Sequence, residues 1–178
     1  MRAIKAGWLE GVRQVPSKSR GPRRTPLEIS LIVIHNISLP PNHFGGRYVD
    51  QLFTSVLAPQ EHPFFAQIYR LELSAHFFIA RTGEITQYVS CLDKAWHAGR
   101  SCYRDRKECN EYSVGIELEG CDYCAYTMEQ YHALDEVIAA LNRHYPETAG
   151  RIAGHNEVAP LRKTDPGPYF AWTRYRQV

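Results

Sequence analysis

The sequence changes period between residues 113 and 144, and that change restricts the fold more than any other feature of the chain. From Ser113 to Glu119, apolar Val114, Ile116 and Leu118 alternate with Gly115, Glu117 and Glu119, the period of two that a half-buried strand requires. Over residues 128–144 the period becomes helical, with Tyr131, Leu134, Ile138 and Leu141 recurring along one face. Thr127 with Gln130 forms a capping box at the start, and Pro146 stops the helix. A strand that feeds an amphipathic helix predicts an α/β domain.

The remaining segments extend that reading. Residues 27–34 form a continuous apolar run broken only by Glu28 and Ser30, as in a strand buried on both faces. A loop rich in Pro and Gly follows His35, and Val49, Leu52, Phe53 and Val56 then predict a short helix ended by Pro59. Residues 77–80 and 85–89 flank Arg81-Thr82-Gly83-Glu84 and predict a β-hairpin. Residues 151–153 predict a last short strand leading to Gly154 and His155, and a Pro-rich tail closes the chain. The expected architecture is a single α/β domain with a central mixed sheet flanked by helices. Residues 1–26, of which 16–26 are rich in Pro, Ser, Gly and Arg, are expected to form an arm packed on a domain spanning 27–178.

Composition removes several classes of function. A chain of 178 residues can bury roughly 70% of its extended surface without staples. A formal net charge of +2 gives no reason to expect nucleic acid or an anionic membrane as partner. Lys5, Glu10 and Arg13 interrupt the first segment before a secretory core can form, and no apolar run approaches the length of a membrane span. Five cysteines, an odd number, fit a reducing compartment, so the cytoplasm is expected; a monomer is the separate expectation for its assembly. Cys121 and Cys124 form a Cys-x-x-Cys pair with no second pair to complete a zinc site, and read as incidental thiols.

Chemistry is written elsewhere. His35 closes the first apolar run, His155 follows the last predicted strand, and Asp165 lies ten residues further on in Thr164-Asp165-Pro166-Gly167-Pro168. Two imidazoles and a carboxylate make a three-ligand zinc site with one vertex left for water, which suits a hydrolase better than a structural centre. The bland reading is a pair of core histidines and a turn-capping Asp. A hydrolase also needs a proton acceptor and a positive group for the oxyanion, for which Glu117 and Lys163 are the candidates. Their bland readings are an exposed strand carboxylate and a solvated loop cation.

Five motifs occur in order along the chain: His35-Asn36-Ile37-Ser38-Leu39-Pro40-Pro41, Ser74-Ala75-His76, Ala95-Trp96-His97-Ala98-Gly99, Gly115-Ile116-Glu117-Leu118-Glu119-Gly120 and Lys163-Thr164-Asp165-Pro166-Gly167-Pro168. Together they resemble the AmpD family, the bacterial anhydro-N-acetylmuramoyl-L-alanine amidases of peptidoglycan recycling. That family lies within the zinc amidase group related to phage T7 lysozyme and peptidoglycan-recognition proteins. The resemblance implies that His35, His155 and Asp165 bind Zn2+, that Glu117 is the base and that Lys163 stabilises the oxyanion. It also implies an anhydro-muropeptide substrate, with Asn36, Trp96 and His97 lining the ligand groove. Glu72 and Glu108 depart from the pattern, because they stand where relatives carry Arg; the reversed charge bears on how an anionic ligand is held. Arg70, Arg104, Arg106 and Lys107 are the neighbouring cations that would compensate. Residues 39–47 are expected to act as a lid.

Two other enzyme and binding readings remain open on the sequence: an amidase of intact cell wall, and a module that binds peptidoglycan fragments without cleaving them. A redox or structural zinc protein built on Cys121 and Cys124 is the third class, and it would lose metal when those thiols are replaced.

Overall fold

The computed structural model describes residues 2–25 and 28–176. Along the chain, β1 (Ile4–Lys5), β2 (Trp8–Leu9), β3 (Arg13–Gln14) and β4 (Arg20–Pro22) precede β5 (Leu31–Ile37), α1 (Tyr48–Phe53) and α2 (Phe65–Ile68). Next come β6 (Phe77–Ile79), β7 (Ile85–Gln87), β8 (Asp93–Ala95), β9 (Cys102–Tyr103), β10 (Arg106–Lys107) and β11 (Ser113–Glu119). The chain then forms α3 (Met128–His144), β12 (Ile152–Gly154) and α4 (His155–Val158). Six strands make one mixed sheet in the order β12-β5-β11-β6-β7-β3. β12, β5, β11 and β6 run parallel, and β7 turns back against β6.

The two faces of the sheet have different partners. Ile32, Ile34, Val114, Ile116 and Leu118 pack with Leu134, Val137, Ile138 and Leu141 of α3. Since successive side chains alternate across a strand, His35, Gly115 and Glu117 lie on the opposite face, away from α3. There Leu31 and Val33 pack with Ala98, Ala153 and Val158, while α1, α2 and Phe78 form an apolar cluster beside them. The long helix thus closes one side and leaves the other for loops and ligands.

The helix over residues 128–144 and its capping box are observed as the sequence implies, with Gln130 N–H donating to Thr127 Oγ1 at 3.1 Å and Thr127 N–H to Gln130 Oε1 at 3.1 Å. The hairpin is also observed. Gly83 sits at its turn with φ +82°, where an added Cβ would lie 2.8 Å from the Glu129 carbonyl oxygen. The first long strand is displaced: expected over residues 27–34, it runs from Leu31 to Ile37. Its limits are those of its partner, since β11 pairs from Ser113 opposite Leu31 to Glu119 opposite Ile37. His35 therefore lies within the strand, and His155, expected at the end of the last strand, opens α4 directly after β12.

The helix expected to reach Val56 stops at Phe53, because Ser55 turns left-handed at φ +61° and Val56 is left 65% exposed. The N-terminal segment does more than cover the surface: β3 extends the main sheet beside β7, and β4 pairs with β8. Buried Arg23 anchors it, donating to the carbonyls of Cys91, Asn110 and Ser113 at 2.8–2.9 Å. Burial lowers the Arg23 pKa to about 10, which still leaves it charged at neutral pH. The expected boundary between arm and domain falls at residues 26 and 27, outside the described residues.

Candidate active site

Strand register builds the centre of the site. Glu117 on β11 pairs with His35 on β5, and Gly154 on β12 pairs with Ile34, so His155, the next residue, falls level with His35. Three adjacent parallel strands thereby set His155, His35 and Glu117 in a row, at strand spacings of about 4.8 Å. The loop after α4 brings Asp165 to the two imidazoles. His35 Nδ1 and His155 Nδ1 are 2.9 Å apart, and Asp165 Oδ2 lies 3.1 and 3.0 Å from them. Both rings are almost fully buried.

The partners on the far sides of the rings decide which nitrogens carry protons. His155 Nε2 faces the Ala98 carbonyl at 3.3 Å and must be the donor there. Ser113 Oγ donates to the Cys109 carbonyl at 2.6 Å, so it accepts from His97 Nε2 at 3.2 Å. His97 Nδ1 is then an acceptor, and His35 Nε2, 3.0 Å away, donates to it. In their neutral forms both imidazoles consequently turn a lone pair on Nδ1 toward the Asp165 carboxylate. Three lone-pair donors converging this closely repel one another unless a proton or a cation lies between them. Four-coordinate zinc at about 2.0–2.1 Å from each donor would set neighbouring donors roughly 3.3 Å apart, so the residues fit such an ion.

Burial lowers the His35 pKa to about 4, against the pull of Asp165. Burial alone would raise Asp165, but its hydrogen bonds with His155 and His35, formed whenever either Nδ1 holds a proton, outweigh that and keep the carboxyl below the usual range. Glu117 behaves in the opposite way. Burial and then the Asp165 charge push its pKa well up, with Lys163 opposing, and its Oε2 is buried without a hydrogen-bond partner. Such a carboxyl is ready to hold a proton and has an oxygen free to receive one.

These groups open into a groove of about 480 Å³, lined also by Asn36, Trp96, His97 and Lys163. The structure thus gathers every site residue singled out in the sequence. Asn36 is held at its amide, donating to Asp122 Oδ1 at 2.8 Å and to the Pro166 carbonyl at 3.2 Å. His97 also packs under Gly115, where a Cβ would fall 2.4 Å from its ring. Neither Glu72 nor Glu108 is among the lining residues, and Glu108 pairs with Arg24 at 2.8 Å. The four nearby cations expected to compensate do not line the groove either. Arg162, which the sequence reading missed, does; it donates to the carbonyls of Ala98 and Arg100. Within residues 39–47, the expected lid, Gly45 is fastened to Glu119, which accepts from Gly45 N–H and Arg81 N–H.

A mixed sheet that carries this buried donor triad beside a groove and a carboxyl whose Oε2 has no partner has the parts of a hydrolytic centre. A family model described as N-acetylmuramoyl-L-alanine amidase matches residues 25–168, and the chain belongs to that family. It is 52% identical over 173 residues to the 1,6-anhydro-N-acetylmuramyl-L-alanine amidase AmpD of Escherichia coli, covering 97% of this chain and 94% of that protein. A crystal structure of a selenomethionine derivative of AmpD superposes with a TM-score of 0.94 at 51% identity, covering 97% of each chain. Drosophila peptidoglycan recognition protein SD shares the fold, with a TM-score of 0.61 at 16% identity over 93% of this chain and 95% of that one.

Proposed function

We propose that this amidase is zinc-dependent and hydrolyses the amide joining 1,6-anhydro-N-acetylmuramic acid to L-alanine in muropeptides released during peptidoglycan recycling. The observation that carries the reading is the convergence of His35, His155 and Asp165 beside Glu117, in a chain about half identical to an enzyme named for that bond. A zinc ion held by the three donors would supply Lewis acidity to the attacking water and the scissile carbonyl. Glu117 takes the proton from that water and returns it to the leaving L-alanine amine, as its raised pKa and unpartnered Oε2 allow. Lys163 offers an ammonium to the developing oxyanion. Trp96 presents an indole to the sugar, and Asn36 lines the same groove. His97 acts first on His35, fixing its tautomer from behind, as acceptors behind metal-bound imidazoles do.

The cytoplasm is the proposed compartment, supported by five free thiols. Among the described residues no helix is long and apolar enough to cross a membrane. The decisive experiment pairs metal analysis of the purified protein with product analysis on anhydro-muropeptides and on intact sacculi. Zinc near one equivalent, with free peptide and anhydro-sugar released from the soluble fragment, is the expected result. Release from sacculi in preference would assign the cell-wall alternative, and binding without cleavage by zinc-loaded protein would assign the recognition module.

A further inference from the structure

Cys121 and Cys124 lie between β11 and α3, outside the hydrolytic machinery. They close a turn in which Cys124 N–H donates to the Cys121 carbonyl, and their sulfur atoms are 3.3 Å apart. The first and last residues of a β-turn have Cα atoms within about 7 Å, close to the roughly 4.4–6.8 Å span of a disulfide. Both thiols are partly exposed, and Cys121 lines the groove. Of the other three cysteines, Cys91 and Cys109 are buried and Cys102 is exposed on β9.

The turn is also mechanically joined to the site. Between the two thiols, Asp122 accepts the Asn36 amide, and Asn36 follows His35. Gly167, two residues after Asp165, packs so tightly on the turn that an added Cβ would lie 2.7 Å from Asp122 Cα. Forming a bond of about 2.05 Å must draw the sulfurs together by more than an ångström, and whatever backbone adjustment accompanies that falls on this turn.

We propose that Cys121 and Cys124 form a dithiol modification site on the groove rim, closed to an intra-turn disulfide by a small disulfide oxidant, and that closure weakens ligand binding through Asp122 and Asn36. The exchange balances with glutathione disulfide as oxidant. One protein thiolate attacks it, forming a mixed disulfide and expelling a glutathione thiolate. The second protein thiolate then attacks the protein sulfur, forming the Cys121–Cys124 bond and expelling the second glutathione. Two protein thiols are oxidised and one glutathione disulfide is reduced to two thiols. Burial, opposed by the Tyr123 N–H and reinforced by the Cys124 thiol, raises the Cys121 pKa, so exchange is faster on the alkaline side of neutrality. The coupling to turnover rests on the amidase reading; the disulfide does not.

The test uses the full chain carrying C102S, exposed to glutathione disulfide at about pH 8.5, near the pKa of a free thiol. Mass spectrometry should show loss of two hydrogens, with the bond mapped between residues 121 and 124, whereas adding C124S should leave a glutathione adduct on Cys121. Oxidation should shift the Asn36 side-chain amide resonance and raise KM for an anhydro-muropeptide roughly threefold or more with kcat little changed, and reducing agent should restore both. Unreacted thiols, or adducts without a bridge, overturn the site. A bridge that leaves the Asn36 resonance in place overturns the coupling. Absence of turnover in the reduced, zinc-loaded protein would count against the amidase reading alone.

Discussion

At the scale of single residues, the site separates groups by the environment each receives from its strand position. His35 and Glu117 are neighbours in register, yet burial drives the imidazole toward its neutral form and the carboxyl toward its protonated one. Both shifts favour uncharged groups, and a bound cation is what would reverse the balance for Glu117, while Asp165 already favours its charged form. Replacing Glu117 by Gln preserves shape and removes the proton acceptor. Turnover is expected to fall by about 10²- to 10⁴-fold with zinc content unchanged, and a zinc-replete variant with ordinary turnover would remove Glu117 from the mechanism. His97→Ala deprives His35 Nε2–H of its acceptor and should weaken zinc binding about 10- to 100-fold, measurable by competition with a chelator. The sequence offered two imidazoles and a carboxylate as candidate ligands by residue class, and it offered Glu117 mainly through its motif, since spacing alone does not tell that carboxyl from an exposed strand residue. The acceptors behind the imidazoles were not legible there, since the Ala98 carbonyl has no sequence signature and His97 reaches His35 only through the folded chain.

Elements were legible where a local pattern determines them and not where a distant partner does. The helix over residues 128–144 carries its own cap and stripe and appears as expected. The strand ending at Ile37 could not be bounded from its own residues, because pairing with β11 decides where it stops. The same holds for the segment 39–47, whose Pro and Gly content suggests a free lid but whose position depends on Glu119. That buried carboxylate accepts from Gly45 and Arg81, joining the loop to the hairpin, and Phe44 lies under the Arg81 guanidinium with 5.0 Å between guanidinium carbon and ring centre. Glu119→Ala leaves both amides without their acceptor and should cost about 1–3 kcal/mol, a lower melting temperature, and faster hydrogen exchange at residues 42–46. Unaltered exchange there would show that other contacts hold the loop.

For the whole molecule, the sequence conveyed the α/β class but not how the first residues are fastened. Arg23, one of several cations in a basic stretch, gives no hint that it will be buried and will hold the carbonyls of Cys91, Asn110 and Ser113. That anchoring helps keep the sheet closed around imidazoles that resist protonation, and so ties global stability to pH. Burial holds His35 at about 4 and His76 and His97 well below their ordinary value, whereas in the unfolded chain each titrates near 6.5. Between those limits the unfolded state binds more protons, so stability falls as pH falls, by up to about 1.4 kcal/mol per unit for each imidazole. Asp165, held below the carboxylate range, adds a loss of the same sign at lower pH. Glu117 opposes them: its raised pKa contributes stability at low pH that is lost as pH rises through the folded value. Three imidazoles against one carboxyl leave the net slope acid-labile below about pH 6.5. Metal-free protein should therefore melt at progressively lower temperature from about pH 7 to 5, and a flat profile would mean that the rings are already charged in the fold. Added zinc should raise the melting temperature near neutrality, and its benefit should shrink on acidification because protons compete for the same imidazoles.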